Sequence, residues 1–265
     1  MDFWLRTDVR ICYLVILLCL LWAVESLVPL YAFAISRWRH ALPNLLLTAL
    51  VIAVNLLLAF ITVATVRWTR ERGIGLLYWL DLPTSLTFVV GILGLDLFAY
   101  FAHVAMHMSA VGWRVHQVHH SDAHVDATTA LRQHPCETLV RIAFQLAGIV
   151  AFGAPMMVIV VYLTISSLNA QFEHANIRLP ERLDRWLQLF WVTPNMHKAH
   201  HSRAKSETNS NYANIFSIWD RLFGTYTAQV DWQALRYGLD EKSATARHSL
   251  WTLLKAPFVE RRDPG

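Results

Sequence analysis

Residues 82 to 120 read LPTSLTFVVGILGLDLFAYFAHVAMHMSAVGWRVHQVHH. From Leu82 to about Ala102 this stretch is apolar, and as a helix it is long enough to cross roughly 30 Å of hydrocarbon. It then leads straight into histidines. His103 and His107 stand four apart at the end of the run, and His116, His119 and His120 follow. A membrane helix that delivers imidazoles to its own end predicts a helix bundle with a chemical site at one face of the bilayer.

The flanking sequence agrees. Ile11 to Ile35 is apolar except for Glu25 and Ser26, and Leu42 to Val66 is broken only by Asn44 and Asn55. The first run is too long for a secretory signal, and it is followed by Arg37, Trp38 and Arg39 where a cleavage site would need small residues. A fourth apolar region, Leu139 to Ala170, carries Gly153-Ala154-Pro155 near its middle. Proline lacks an N–H donor and clashes with the preceding turn, so this region reads as two shorter helices meeting at a bend. Hydrophobic residues make up 55% of the chain and charged residues 16%, well below the quarter or so usual in soluble domains. The expected fold is all-α: a multi-pass membrane bundle of about four to five membrane helices, with a cytoplasmic helical cap over the histidines. Residues 1–81 form N-terminal membrane helices, 82–228 the catalytic region and 229–265 a peripheral C-terminal segment. Cys12, Cys19 and Cys136 lack any metal-like or disulfide-like spacing and read as small apolar residues.

Of the 23 Lys and Arg residues, only Arg6, Arg10, Arg37, Arg39, Arg67, Arg70 and Arg72 precede residue 100. Cations accumulate on the cytoplasmic side of membrane proteins, which puts the polar later half there, in a bacterial inner membrane or the endoplasmic reticulum. Arg67, Arg70 and Arg72 are exceptions, in a loop that simple alternation places outside. The basic balance reads as orientation in a bilayer, not as affinity for nucleic acid.

The histidines carry the chemistry. His103 and His107 form one pair, and His116, His119 and His120 form a His-x-x-His-His group that His197, His200 and His201 repeat. Residues three and four apart share a helix face. Clustered neutral imidazoles leave polar nitrogens to satisfy, and protonated ones repel, whereas a metal resolves both problems. If both triplets bind the same metals they lie on one side of the membrane, so the segment between them must leave and return. A bend at Gly153-Ala154-Pro155 does that. Isolated His40, His124 and His248 read as hydrogen-bonded surface or core residues. Asp96 and Tyr100 extend the face of His103 and His107 at four- and three-residue steps. An acid at membrane depth is a functional candidate, here to hydrogen-bond a ligand histidine and fix its tautomer.

Eight ligands exceed the four of a tetrahedral zinc site, so two ions are implied. Imidazole suits iron, zinc, copper and nickel alike. A zinc hydrolase would place a carboxylate base inside the motif, where this chain has Gln117 and Lys198. Oxygen-dependent redox chemistry fits better. A membrane metal transporter and a zinc-dependent lipid hydrolase remain as alternatives, the first distinguished by ligands at mid-membrane on several helices.

Several ordered motifs resemble those of the fatty acid hydroxylase superfamily, also called the sterol desaturase family. They are Asp96-x-x-x-Tyr100-x-x-His103-x-x-x-His107, Trp113-Arg114-x-His116-x-x-His119-His120-Ser121 and Thr128-Thr129-Ala130-x-Arg132-x-His134-Pro135-x-Glu137. Phe172-x-His174-x-Asn176, Pro194-x-x-His197-x-x-His200-His201, Asn211-Tyr212 and Trp219-Asp220-Arg221-x-Phe223-Gly224-Thr225 complete the set. The resemblance covers about residues 82 to 228. It implies a non-heme di-iron site that activates oxygen to hydroxylate or desaturate a lipid drawn from the bilayer. It adds His174 as a ninth ligand and makes Asn211 and Asp220 supporting residues beside Asp96 and Tyr100. His134 precedes Pro135, a helix-start pattern, and reads as a structural cap at least as well as a ligand. No flavin, heme or ferredoxin segment is recognisable, so electrons are expected from a separate redox protein. Imidazole sites bind zinc at least as well as iron(II), so aerobic preparations are expected to carry zinc as an artefact. Ser249 to Phe258 sets Trp251, Leu254 and Phe258 beside Lys255, a pattern that suits an interfacial helix or a short core-packing one.

Overall fold

The computed structural model describes residues 7–33, 35–228, 235–240 and 249–259. Among these residues it is helical, with a single isolated bridge between Ser202 and Tyr237 as the only extended pairing. His248 lies outside the described residues.

Helix α1 is Thr7–Leu27, and it stops at Val28-Pro29 because the residue before a proline is driven out of the helical region. The apolar run to Ile35 is therefore a helix followed by a connection, shorter than its hydropathy suggests. Helix α2, Arg37–Arg72, is 36 residues long and ends where Gly73 turns left-handed at φ 62°. Arg67, Arg70 and Arg72 thus belong to its last turns and not to a loop, because nothing before Gly73 interrupts the helix. A short α3, Leu76–Trp79, leads to α4, Thr84–Met108.

Ser109 ends α4 and caps α5, Ala110–His120, its hydroxyl accepting from Gly112 N at 3.1 Å. A Cβ on Gly112 would lie 2.6 Å from Met106 Cα, so only glycine lets α5 fold back this tightly. The fold-back sets His116–His120 against His103 and His107. A 3₁₀ turn, Ala127–Leu131, opens with a capping box between Asp126 and Thr129.

Helix α6, Glu137–Phe152, ends at Gly153 with φ 67°, and α7, Met156–His174, starts after Pro155. This is the bend the sequence predicts, and it returns the chain to the histidine side. Short helices follow: α8, Glu181–Leu187; α9, Pro194–His200; α10, Lys205–Thr208; α11, Ile218–Leu222; and α12, Leu250–Val259.

Four helical stretches are long and apolar enough to cross a membrane: Thr7–Leu27, Arg37–Trp79, Thr84–Met108 and Met156–His174. Helix α6, with 16 residues, spans only about 24 Å at 1.5 Å per residue. The core between α4, α6 and α7 comprises Leu95, Ile149, Val158, Ile159 and Tyr162, joined by Ile215 from the C-terminal return. On α12, Leu253 packs with Leu47 and Val118, while Trp251 and Phe258 face outward. The Leu253 face is that of a core-packing helix.

Candidate metal centre

Nine histidines converge from four helices. Their nitrogens fall into two sets, each with all members within 4.8 Å of one another: His103, His107, His116, His120 and His200, then His119, His174, His197 and His201. All nine are buried. The sorting follows the helical period. In each His-x-x-His-His motif the i,i+4 pair goes to one set, as His116 with His120 and His197 with His201, because 3.6 residues per turn nearly superimposes them. The middle histidine, His119 or His200, is turned to the other set. Each motif therefore straddles both sites, where the sequence suggests a single direction.

Hydrogen bonds fix the tautomers. The Nδ1 of His103 donates to Tyr212 O at 2.7 Å, that of His174 to Ala170 O at 2.6 Å, and that of His200 to Ser210 O at 2.7 Å. A carbonyl only accepts, so each Nδ1 carries the proton and each Nε2 keeps a bare lone pair. The Nδ1 of His107 lies 3.3 Å from Asn209 Oδ1, and that of His116 lies 3.2 Å from Glu137 Oε2, out of line for a hydrogen bond.

The lone pairs of His174 and His103 face other ring nitrogens, and each can accept from one of them at most. His174 Nε2 lies 3.0 Å from His119 Nε2, 3.1 Å from His197 Nε2 and 3.0 Å from His201 Nε2, and His103 Nε2 lies 3.1 Å from His116 Nε2. One unprotonated nitrogen facing three others is an unsatisfied arrangement, and the Nε2 atoms of His107, His120 and His200 are buried without hydrogen-bond partners. A cation at the focus of each set satisfies all of these nitrogens at once. Burial first, and the neighbouring imidazoles after it, hold His119, His120, His197 and His201 well below the ordinary histidine range. Burial also takes His200 down to about 3, against the Ser210 carbonyl that favours its protonated form. These imidazoles are neutral at physiological pH, the state a metal requires.

The C-terminal return acts as a clasp. Asn209, Ser210 and Tyr212 back three ligands of the first set. Asn211 between them adopts φ 52°, a left-handed conformation that Asn tolerates better than most side chains. Its Nδ2 donates to Met196 O at 3.0 Å and Thr227 O at 2.9 Å, and its Oδ1 accepts from Thr227 N at 2.9 Å. Asp220 accepts from Tyr212 N at 2.8 Å, Ala213 N at 3.0 Å and Thr225 Oγ1 at 2.7 Å. The sequence-predicted Asn211 and Asp220 touch no histidine; both bond the backbone of the clasp whose neighbouring groups meet His103, His107 and His200.

Asp96 and Tyr100 require a correction, because neither hydrogen-bonds a histidine. Asp96 Oδ2 accepts from Phe216 N at 3.1 Å and Trp219 Nε1 at 2.9 Å. Tyr100 donates to Thr225 Oγ1 at 2.9 Å, since the single Thr225 hydroxyl proton goes to Asp220. They lie one and two turns below His103 and so meet the base of the clasp. His134 joins neither set. Its Nδ1 accepts from Cys136 N at 3.1 Å and its Nε2 lies 3.3 Å from Leu254 O, the arrangement of a cap.

Three supports escape sequence reasoning. Glu137, quoted only as part of a motif, is fully buried beside His116 and pairs with Arg141 at 2.7 Å. Lys198, also fully buried, donates to Ala175 O at 2.6 Å and Ile177 O at 3.0 Å, which ties α9 to the chain just past His174. Glu25, which reads as an interruption of an apolar run, accepts from Ala127 N at 2.8 Å and Asn176 N at 2.7 Å and pairs with Arg37. A buried carboxylate in a membrane helix is the signal that could have found it.

The fatty acid hydroxylase family matches residues 88–225, more than half of the chain, and the chain belongs to that family. It is 31% identical over 189 residues to alkylglycerol monooxygenase of Danio rerio, covering 70% of this chain and 40% of that protein. It is 30% identical over 150 residues to ornithine lipid hydroxylase OlsE of Rhizobium tropici, covering 56% and 44%. Identity to methylsterol monooxygenase 1 of Gallus gallus is 28% over 152 residues, covering 57% and 48%. The chain spans less than half the length of these relatives. No solved structure matches it.

Proposed function

We propose that this chain is a membrane oxygenase that uses two irons, oxygen and externally supplied electrons to hydroxylate a C–H bond of a bilayer lipid. The observation that carries this reading is the pair of buried, all-imidazole sets. Irons bound there supply oxygen activation, and neutral ligands leave the cations' charge largely uncompensated. Three relatives named as monooxygenases or hydroxylases, one for a glyceryl lipid, one for an ornithine lipid and one for a sterol, favour hydroxylation over desaturation.

The protein's own groups orient and exclude. Carbonyls of Tyr212, Ala170 and Ser210 hold three imidazoles in the ligating tautomer, and Glu137 sets one carboxylate behind His116. Burial of the whole set keeps water from competing. The predominance of cations after residue 100 supports a cytoplasmic site. There a separate redox protein delivers electrons, while the substrate arrives through the bilayer.

The test strips metal, reloads anaerobically with iron(II), adds a reductant chain and oxygen, and weighs the lipid extract. A product heavier by one oxygen atom, formed with iron and not with zinc, is the expected result. Loss of two hydrogens would make the enzyme a desaturase. Hydrolysis of a lipid ester or amide by zinc-loaded protein, with iron adding nothing, would overturn the oxygenase, and metal uptake into sealed vesicles would make it a transporter.

A further inference from the structure

Two short helices each bury an acid and expose large apolar side chains beside charged ones: Glu181, Arg182 and Arg185 on α8, and Arg221 on α11, are exposed too. On α8, Asp184 is buried, accepting from Thr193 Oγ1 at 2.6 Å and Gln188 Nε2 at 2.7 Å. Around it Leu183, Trp186, Leu189 and Phe190 are 45 to 63% exposed. On α11, Asp220 is buried while Ile218, Leu222 and Phe223 are exposed. Water selects the opposite placement of the acids and the apolar groups. The neighbouring α10 obeys water's rule, with Lys205 and Ser206 outside and Thr208 inside.

The two helices form one patch. Gln188 O accepts from Ser217 Oγ at 2.7 Å and Arg221 at 2.9 Å, and Val192 N donates to Ile215 O at 3.0 Å. Such a continuous apolar surface marks an interaction site.

Depth identifies the occupant. The return meets α4 at His103 through Tyr212, descends to Asp96 through Phe216 and Trp219, and climbs back to Tyr100 through Thr225. Seven residues of helix separate His103 from Asp96, so the dip is roughly 10 Å. Asp96 lies six residues, roughly 9 Å, inside the apolar run Leu82–Ala102, and α11 therefore lies at hydrocarbon depth. Seven and ten residues before Asp96, on the same helix face, Val89 and Leu86 are 52% and 48% exposed. The patch continues the lipid-facing surface of α4. Exposed Arg182 is long enough to reach lipid phosphates from a helix lying flat, while exposed Arg185 pairs with Glu181 at 3.2 Å.

We propose that α8 and α11 form one wedge inserted in the plane of the leaflet that borders the metal centre, with Trp186, Phe190, Ile218, Leu222 and Phe223 against acyl chains. This goes beyond the oxygenase reading and holds whether or not the chain oxidises lipid. The test uses the full chain with Cys12, Cys19 and Cys136 changed to Ala, reconstituted in phosphatidylcholine vesicles. Single nitroxide labels follow Trp186→Cys, Phe190→Cys and Leu222→Cys, with Leu57→Cys on α2 and Lys205→Cys as lipid and water references. Metal per chain equal to the unlabelled parent establishes that each variant is folded. The ratio of collisions with oxygen to collisions with a water-confined nickel chelate is expected to match Leu57 and exceed Lys205 at all three positions. A ratio equal to that at Lys205 overturns the wedge. So does protection from both reagents, which means a protein cover; spectral broadening lost on dilution with unlabelled chain would identify that cover as a second copy.

Discussion

The two histidine sets are equally buried but unequally supported. In the set of five, His103, His107 and His200 each hydrogen-bond a group between Asn209 and Tyr212, His116 has Glu137 beside it, and His120 alone has no hydrogen-bond partner among the described residues. In the set of four, only His174 has such a backing, from Ala170 O, while the Nδ1 atoms of His119, His197 and His201 have no hydrogen-bond partner among the described residues. Groups behind a ligating histidine fix its ring and raise its basicity. The first set is therefore the more preorganised, and with a metal in each set the second would depend more on its ion. The two sites are chemically alike at their ligands and differ in what stands behind them.

The largest effects come from the ligands. His200→Ala and His119→Ala are each expected to abolish lipid oxidation while the protein still inserts, and elemental analysis should show the loss of at least one ion per chain. Full metal and turnover in both variants would remove the assignment of the sets and the comparison with it.

Next comes the clasp. Asn211→Ala places an ordinary side chain at φ 52°, at a cost of about 1–2 kcal/mol, and releases three hydrogen bonds. Metal affinity at the first set should fall about 10- to 100-fold, as it should for Glu137→Gln, with the second set spared. An equal loss at both sets in a metal titration would show that the clasp supports the whole bowl.

A chelator titration of the intact protein sharpens the contrast further. Metal should leave in two phases, the second set first, and Glu137→Gln should bring the phases together. One phase in the parent protein would mean that the two ions are bound as a unit.

Acid acts on both sets. Unfolded histidines take up protons below about pH 6.5, whereas the folded, metal-free imidazoles resist down to about 3 at His200. Stability of the stripped protein should therefore be full above pH 6.5 and fall as the pH drops through that range. A thermal midpoint constant from pH 7 to 4 would contradict the neutral, buried bowl.

Asp96→Asn is expected to have the smallest effect. The carboxylate grips Phe216 N and Trp219 at the base of the return, two turns from the nearest ligand. Weakening those bonds should cost about 1–3 kcal/mol of stability, and turnover per folded molecule should fall less than in Asn211→Ala. A collapse of turnover at full stability would restore Asp96 to a direct role at the ligands.

Much of this was legible in the residues. The spacing in His103–His107 and the two His-x-x-His-His motifs located eight of the nine histidines that converge in the two sets, because helical periodicity is a local property that any chain displays in its sequence. The hairpin at Gly153-Ala154-Pro155 was legible for the same reason: glycine and proline act on the backbone beside them. His174 required resemblance, since Glu173 and Ala175 carry no periodic signal. Arg67, Arg70 and Arg72 misled, because charge suggests a loop while helix continuation depends on the absence of a breaker before Gly73.

The sequence by itself determined that this is a helical membrane protein with an imidazole-rich site past the end of Leu82–Ala102. Hydropathy and helical period act over a few turns and need no fold to be read. Only the tertiary structure decided which histidine belongs to which set, which carbonyls hold the rings of His103, His174 and His200, and that Asp96 supports a distant loop. It also revealed Glu25, Glu137 and Lys198 as supports, because their partners lie far away in the chain or beyond a turn. Hydrogen bonds and metal ligation need atoms within about 3 Å of one another, and for residues far apart in sequence only folding sets that distance.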